Sequence, residues 1–202
     1  EGYARCNVAL RPWFWFLSLT TDCRIFQKKT TQEIVTAIFG DHGCADFRFD
    51  VKEEYKLRQY CVQYRESDFD FVSRLLEEEG MHYYFEHRED RHTMVVADAA
   101  SAQKPCPGYD EIPYYGPSAS AAQEEHVSEW LECFEVQSGG YSLNDYDFEA
   151  PKSNLMTLAK AERSHAQATL SRFDYPGGHV KFGEPDNGRF DVGDRLAQVR
   201  LQ

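Results

Sequence analysis

The chain has 202 residues, of which 42% are hydrophobic, 28% charged and 14% aromatic, and its net charge is −12. That length suits one large domain or two small ones, with a core that needs no disulfide. The acidic balance argues against binding nucleic acid or an anionic membrane, both of which require clustered cations, and no apolar run approaches the ~20 residues of a spanning helix.

In chain order, Leu10–Leu19 is apolar on both alternating faces and predicts a strand buried on both sides. The alternative is a surface platform of Trp13 and Trp15 for sugar, but Phe14 and Phe16 would then need burial on the opposite face. Thr30 and Glu33 form a capping box, and Ile34, Val35, Ile38 and Phe39 follow at helical spacing, with Gly40 and Gly43 as stop signals. Phe47, Phe49 and Val51 alternate with Arg48 and Asp50, as in a half-buried strand. Tyr60–Tyr64 alternates likewise around Cys61.

A second helix is predicted over Asp68–Glu79. Ser67 caps it, and Asp68 and Asp70 suit its positive end. Phe69, Phe71, Val72, Leu75 and Leu76 share one side; Asp70, Ser73, Arg74, Glu77 and Glu78 share the other; Gly80 ends it. From Met81 the period becomes two, giving a hairpin of Met81–Glu86 and Thr93–Ala97 around the turn His87–Arg91.

Residues 100–122, rich in Ala, Ser, Pro and Gly, read as a connector between segments 1–99 and 123–202. Strands are expected near Val127–Val136 and Tyr141–Phe148, with turns at Ala150-Pro151 and Tyr175–Gly178. Leu155–Leu170 fits either a helix or two short strands. An amphipathic helix begins near Asp194, with Leu196 and Val199 on one side, and the chain reads as a fragment because it stops there. The fold class is α+β with strands predominating. The expected rigid core includes Trp13, Trp15, Ile38, Phe71, Leu75 and Tyr84.

Residues that could carry chemistry form no convincing constellation. His82, His87 and His92 straddle the hairpin turn five residues apart, a spacing that does not favour a shared metal. Glu77, Glu78 and Glu79 at a helix end, and Glu124-Glu125 in the connector, do not face one another as glycosidase carboxylates must. Cys61 reads as a small buried hydrophobe. Gly177-Gly178 lacks the Lys and Ser/Thr of a phosphate loop, and no Gly-x-Ser-x-Gly elbow is present. The six cysteines lack zinc or redox spacing and read as reduced thiols. No catalytic, cofactor or metal residue is assigned, and a binding or scaffold protein is expected.

The run Tyr60–Tyr84, YCVQYRESDFDFVSRLLEEEGMHYY, closely resembles the VgrG family of type VI secretion spike proteins, themselves similar to the tail hubs of contractile phages. Arg11–Trp15, Cys23–Gln27, Phe85–His87, Thr93–Asp98, Ile112–Tyr115, Glu125–Val127, Asp145–Phe148 and Asp174–Gly177 extend the likeness in one register, from Ala9 to Leu201. The resemblance implies β-barrel-like modules with helical insertions. It also implies a homotrimer that caps a hexameric tube of Hcp-like protein, contacts baseplate components and in some cases carries effector cargo. Such a protein assembles in the bacterial cytoplasm and is ejected through the apparatus, with no enzyme activity, cofactor, nucleic acid or membrane anchor. The tail hub of a phage or extracellular contractile particle is the first alternative, and a cell-wall hydrolase the second.

Overall fold

Two N-caps fix the helices of the N-terminal unit. Thr30 accepts from the Glu33 amide while Glu33 reaches back to the Thr30 amide, so the expected capping box opens α1, Thr31–Asp41. Ser67 accepts from the Asp70 amide and opens α2, Asp68–Glu78. The computed structural model describes residues 4, 6–44, 46–103, 105–116, 125–162, 164–180 and 187–201, the backbone alone at 187–190. They fall into two units, one built on the residues up to Ala102, the other on Gln103–Val180 and the C-terminal helix. The fold is α+β and strand-rich, as predicted: the described residues hold eight β-strands and three α-helices.

In the first unit the helices face as their spacing predicts. α1 buries Ile34, Val35, Ile38 and Phe39; α2 buries Phe71, Val72, Leu75 and Leu76, with Phe69 half-buried. Gly40 lies inside α1, so the stop falls at Gly43; Gly43 and Gly80 both take the left-handed conformation that ends a helix. The helices pack with Met94 and Val96 of the hairpin in one core.

Strands β1 (Thr21–Lys29) and β3 (Arg58–Ser67) form an antiparallel ladder of two. Its register slips between Asp22 and Cys23, where Arg65 bulges out at a φ of 53°. Strands β2 (Phe47–Asp50), β4 (His82–His87) and β5 (His92–Ala97) form a second sheet in the order β2-β5-β4. The hairpin appears as expected, with His87 opposite His92, and β2 runs parallel to β5. As the central strand, β5 buries Met94 through Ala97.

The double-sided strand expected at Leu10–Leu19 is not formed. Trp13–Leu19 is a 3-10 helix entered from Pro12, and Leu10 is exposed. Its period of three turns Phe14 and Leu17 into the core and leaves Phe16 and Leu19 outside. Of the expected core residues, Ile38, Phe71 and Leu75 are fully buried. Trp13 and Tyr84 are half-buried, and Trp15 is 38% exposed.

In the second unit β6 (Gly140–Leu143) lies between β7 (Thr157–Lys160) and β8 (Ser171–Asp174), antiparallel to the first and parallel to the second. Helix α3 (Asn187–Leu201) starts seven residues before the predicted Asp194 and packs Ala197 with Leu143 and Ala159. The strand predicted over Tyr141–Phe148 ends at Leu143, and Leu155–Leu170 resolves into β7 and a turn. The strand predicted over Val127–Val136 is absent: Val127 makes an isolated bridge with Tyr114, and Ser128–Gln137 makes no backbone hydrogen bond among the described residues. Of the predicted connector, residues 104 and 117–122 lie outside the described residues.

Candidate functional site

The most concentrated polar cluster surrounds Asp68, the first residue of α2 and only 3% exposed. Thr20 Oγ1 donates to its Oδ2 at 3.0 Å, and His42 Nε2 lies 2.6 Å from the same oxygen. Gln63 Nε2 donates to Oδ1 at 2.7 Å, and Arg24 donates to Oδ1 as well. Burial alone would raise the Asp68 carboxyl; hydrogen bonds from Gln63, His42, Thr20 and Arg24 outweigh it and hold the group below the ordinary carboxylate range. A carboxylate offers about four lone-pair sites, and four protein groups occupy them. The cluster therefore works as a lock joining β1, α1, β3 and α2, with no acceptor left for a substrate or metal.

The glutamates at the end of α2 form a second lock. Glu78 accepts from Arg58 Nη1 at 2.6 Å and from Arg74 Nη1 at 3.0 Å; Glu79 accepts from Arg58 Nη2 at 2.8 Å. Glu77 points to solvent. These carboxylates are held by cations from β3 and α2 instead of facing one another across a cleft. Glu125 accepts from the Tyr109 hydroxyl, and Glu124 lies outside the described residues.

The histidines separate. His87 and His92 stack with ring centroids 5.8 Å apart, while His82 sits at the far end of β4 opposite Ala97. His92 Nε2 accepts from the Trp13 amide at 3.0 Å, which anchors the 3-10 helix. No group of three metal-binding side chains occurs among the described residues. Cys61 is buried, and that burial pushes its thiol up, away from the nucleophilic thiolate. All six cysteines are free. Gly178 takes a left-handed turn conformation. In the second unit the buried His179 meets the Leu155 carbonyl through Nε2 at 2.9 Å, and its Nδ1 lies 3.9 Å from Asp145 Oδ2, with no hydrogen-bond partner among the described residues. Nothing in the flanks of His179 marks it in the sequence as a buried residue.

A surface stands out more than any pocket. The inner face of the β1–β3 ladder carries Phe26, Cys61 and Gln63 into the unit. Its outer face presents Ile25, Tyr60 and Tyr64, each about 60% exposed, beside Cys23 and Val62. An apolar face of this kind is a candidate contact surface.

The sequence profile of the phage tail baseplate hub (GPD) family matches residues 1–202, and the chain belongs to that family. It is 42% identical over 200 residues to the type VI secretion system spike protein VgrG1b of Pseudomonas aeruginosa, and 44% identical over 200 residues to VgrG1c of the same organism. Each alignment covers 99% of this chain but 26% of the relative, so the chain spans about a quarter of the length of these proteins. A solved E. coli component of the type VI secretion system is 30% identical, covering 46% of this chain and 27% of its own, with a TM-score of 0.44. The VgrG resemblance read from Tyr60–Tyr84 is borne out.

Proposed function

We propose that this chain is part of the structural base of a type VI secretion spike. In the full-length protein it forms a homotrimeric hub that docks on a hexameric tube of Hcp-like subunits and bears on baseplate components. The machine assembles in the cytoplasm and ejects the spike, with any effector cargo, when its sheath contracts. The observation that carries this reading is the hub-family match along the whole chain, joined to 42–44% identity with two VgrG spike proteins.

The physical character of the first unit suits a part that transmits force. Carboxylate locks at Asp68 and at Glu78 and Glu79 tie four elements together, and their hydrogen-bonding capacity goes to rigidity. The work comes from the sheath, so the hub needs stiffness and subunit contacts, not a catalytic group. The segments 1–99 and 123–202 serve as its two modules. The family's own description favours one alternative, the hub of a phage tail baseplate. Co-sedimentation of the full-length protein with preassembled Hcp-like tubes and with phage tail tubes tests the reading. Retention on the former at substoichiometric, end-binding ratios is expected. Binding to phage tubes alone would transfer the protein to the alternative, and binding to neither would remove the hub reading.

A further inference from the structure

We propose that His92 is an acid-released latch on the N-terminal 3-10 helix, Trp13–Leu19. Protonation of its ring removes the acceptor of the Trp13 amide and frees that helix from the hairpin while the rest of the unit stays folded. The inference concerns the first unit alone and does not depend on the hub reading.

The contact fixes the state of the ring. An amide N–H only donates, so the His92 Nε2 that receives it at 3.0 Å carries a lone pair, and the proton of the neutral ring sits on Nδ1. A second proton goes onto Nε2. Two N–H donors would then face each other across a hydrogen-bond distance, and the contact must open. As the first amide of its helix, Trp13 N–H has no intrahelical acceptor, and water can take it once the contact is lost. It is also the one hydrogen bond that Trp13 donates among the described residues, because its buried indole Nε1 has no partner. The indole packs edge-on against Phe39 of α1 and Phe85 of β4, with ring centroids 4.9 and 6.5 Å away. The latch therefore sits where the 3-10 helix enters the core, one residue before the buried Phe14.

Among the described groups that face His92, none is a carboxylate. By strand alternation it shares its side of the sheet with Met94 of β5, Phe85 and His87 of β4 and Phe47 of β2. The titratable group there is His87, stacked on His92 with ring centroids 5.8 Å apart, and a proton on it adds a like charge. Glu86 lies on the other side of the sheet, where it pairs with Arg48. The 3-10 helix carries no charged residue, and ahead of it the exposed Arg11 lies over the Trp15 ring. Asp46, Arg88, Glu89, Asp90 and Arg91, which flank these strands, are exposed. His42 responds in the opposite way. Its Nε2 lies 2.6 Å from Asp68 Oδ2, and a carboxylate only accepts, so this ring donates and a further proton keeps the bond. Asp68 stays ionised well into acid, because its carboxyl is held below the ordinary range. Acid thus opens the His92 contact and spares the Asp68 lock, which separates a local release from unfolding of the unit.

Hydrogen exchange of the Trp13 amide in the full-length protein tests this, read by mass spectrometry as protection relative to the unstructured rate at each pH. Histidine ordinarily changes charge between about pH 5 and about pH 8. Protection should fall by about tenfold from the upper end of that range to the lower, the loss of one hydrogen bond. The amide of Leu75, in the buried face of α2, should stay protected throughout. His92→Gln supplies an acceptor oxygen that takes up no proton in this range, and it should abolish the pH dependence. Wild-type protection that is equal at both ends, or a His92→Gln chain that loses it in acid as wild type does, overturns the latch. Protection lost at Leu75 together with Trp13 overturns the local release and shows unfolding of the unit in its place.

Discussion

Asp68 shows how one buried group can hold a unit together. A buried charge is tolerated when several donors face it, and here Thr20, Arg24, His42 and Gln63 all do. Asp68→Asn keeps the shape but replaces an acceptor with a donor aimed at those groups. It should cost about 3 kcal/mol or more in a denaturant titration at neutral pH. Because the folded carboxyl lies below its unfolded value, its contribution is complete above the ordinary range. It is lost as the pH falls through the depressed value, so the gap between wild type and variant should narrow below about pH 4. A gap that widens in acid would contradict this account of the cluster. Packing gives a second check. Leu75 is fully buried, and Leu75→Ala should cost about 2–5 kcal/mol. Glu77 is exposed on the opposite side, and Glu77→Ala should move stability by about 0.5 kcal/mol or less. The reverse ranking would show that the facing of α2 is misassigned.

At the scale of elements, α3 offers an unusual case. Gly193 lies within it, where alanine is normally better by about 1 kcal/mol. A Cβ there would stand 2.7 Å from Thr157 Cγ2 and 3.0 Å from the His179 ring. Gly193→Ala should therefore lower the melting temperature of the protein; a rise would mean that helix propensity outweighs the contact. The helices of the first unit were legible because caps and apolar spacing are local: Thr30, Glu33 and Ser67 act as their types predict. The strand expected over Leu10–Leu19 is replaced by the 3-10 helix Trp13–Leu19 because a run of consecutive apolar residues fits a strand or a helix equally well, and only Pro12 and the packing of Phe14 and Leu17 decide. Val127–Val136 was misread for another reason. Its sequence suits a strand, but a strand exists only as part of a ladder, and Ser128–Gln137 has no ladder among the described residues. The candidate surface was hidden likewise. The alternation of Tyr60, Val62 and Tyr64 is visible in the sequence, but not that their side of the ladder is left uncovered. The Asp68 lock was invisible because its donors come from positions 20, 24, 42 and 63.

For the whole molecule, the acidic balance, the rigid polar locks and the apolar outer ladder fit a part that works by assembling. Homologous spike proteins extend well beyond the length of this chain, so the full-length protein is the object to measure. The proposed ring is a property of the full-length protein, because obligate interfaces are large. The most direct measurement is its mass in solution by light scattering, alone and with Hcp-like tube protein. The expected result is a stable trimer whose mass rises on adding the tube protein. A monomer or dimer that never associates with the tube would contradict the hub account.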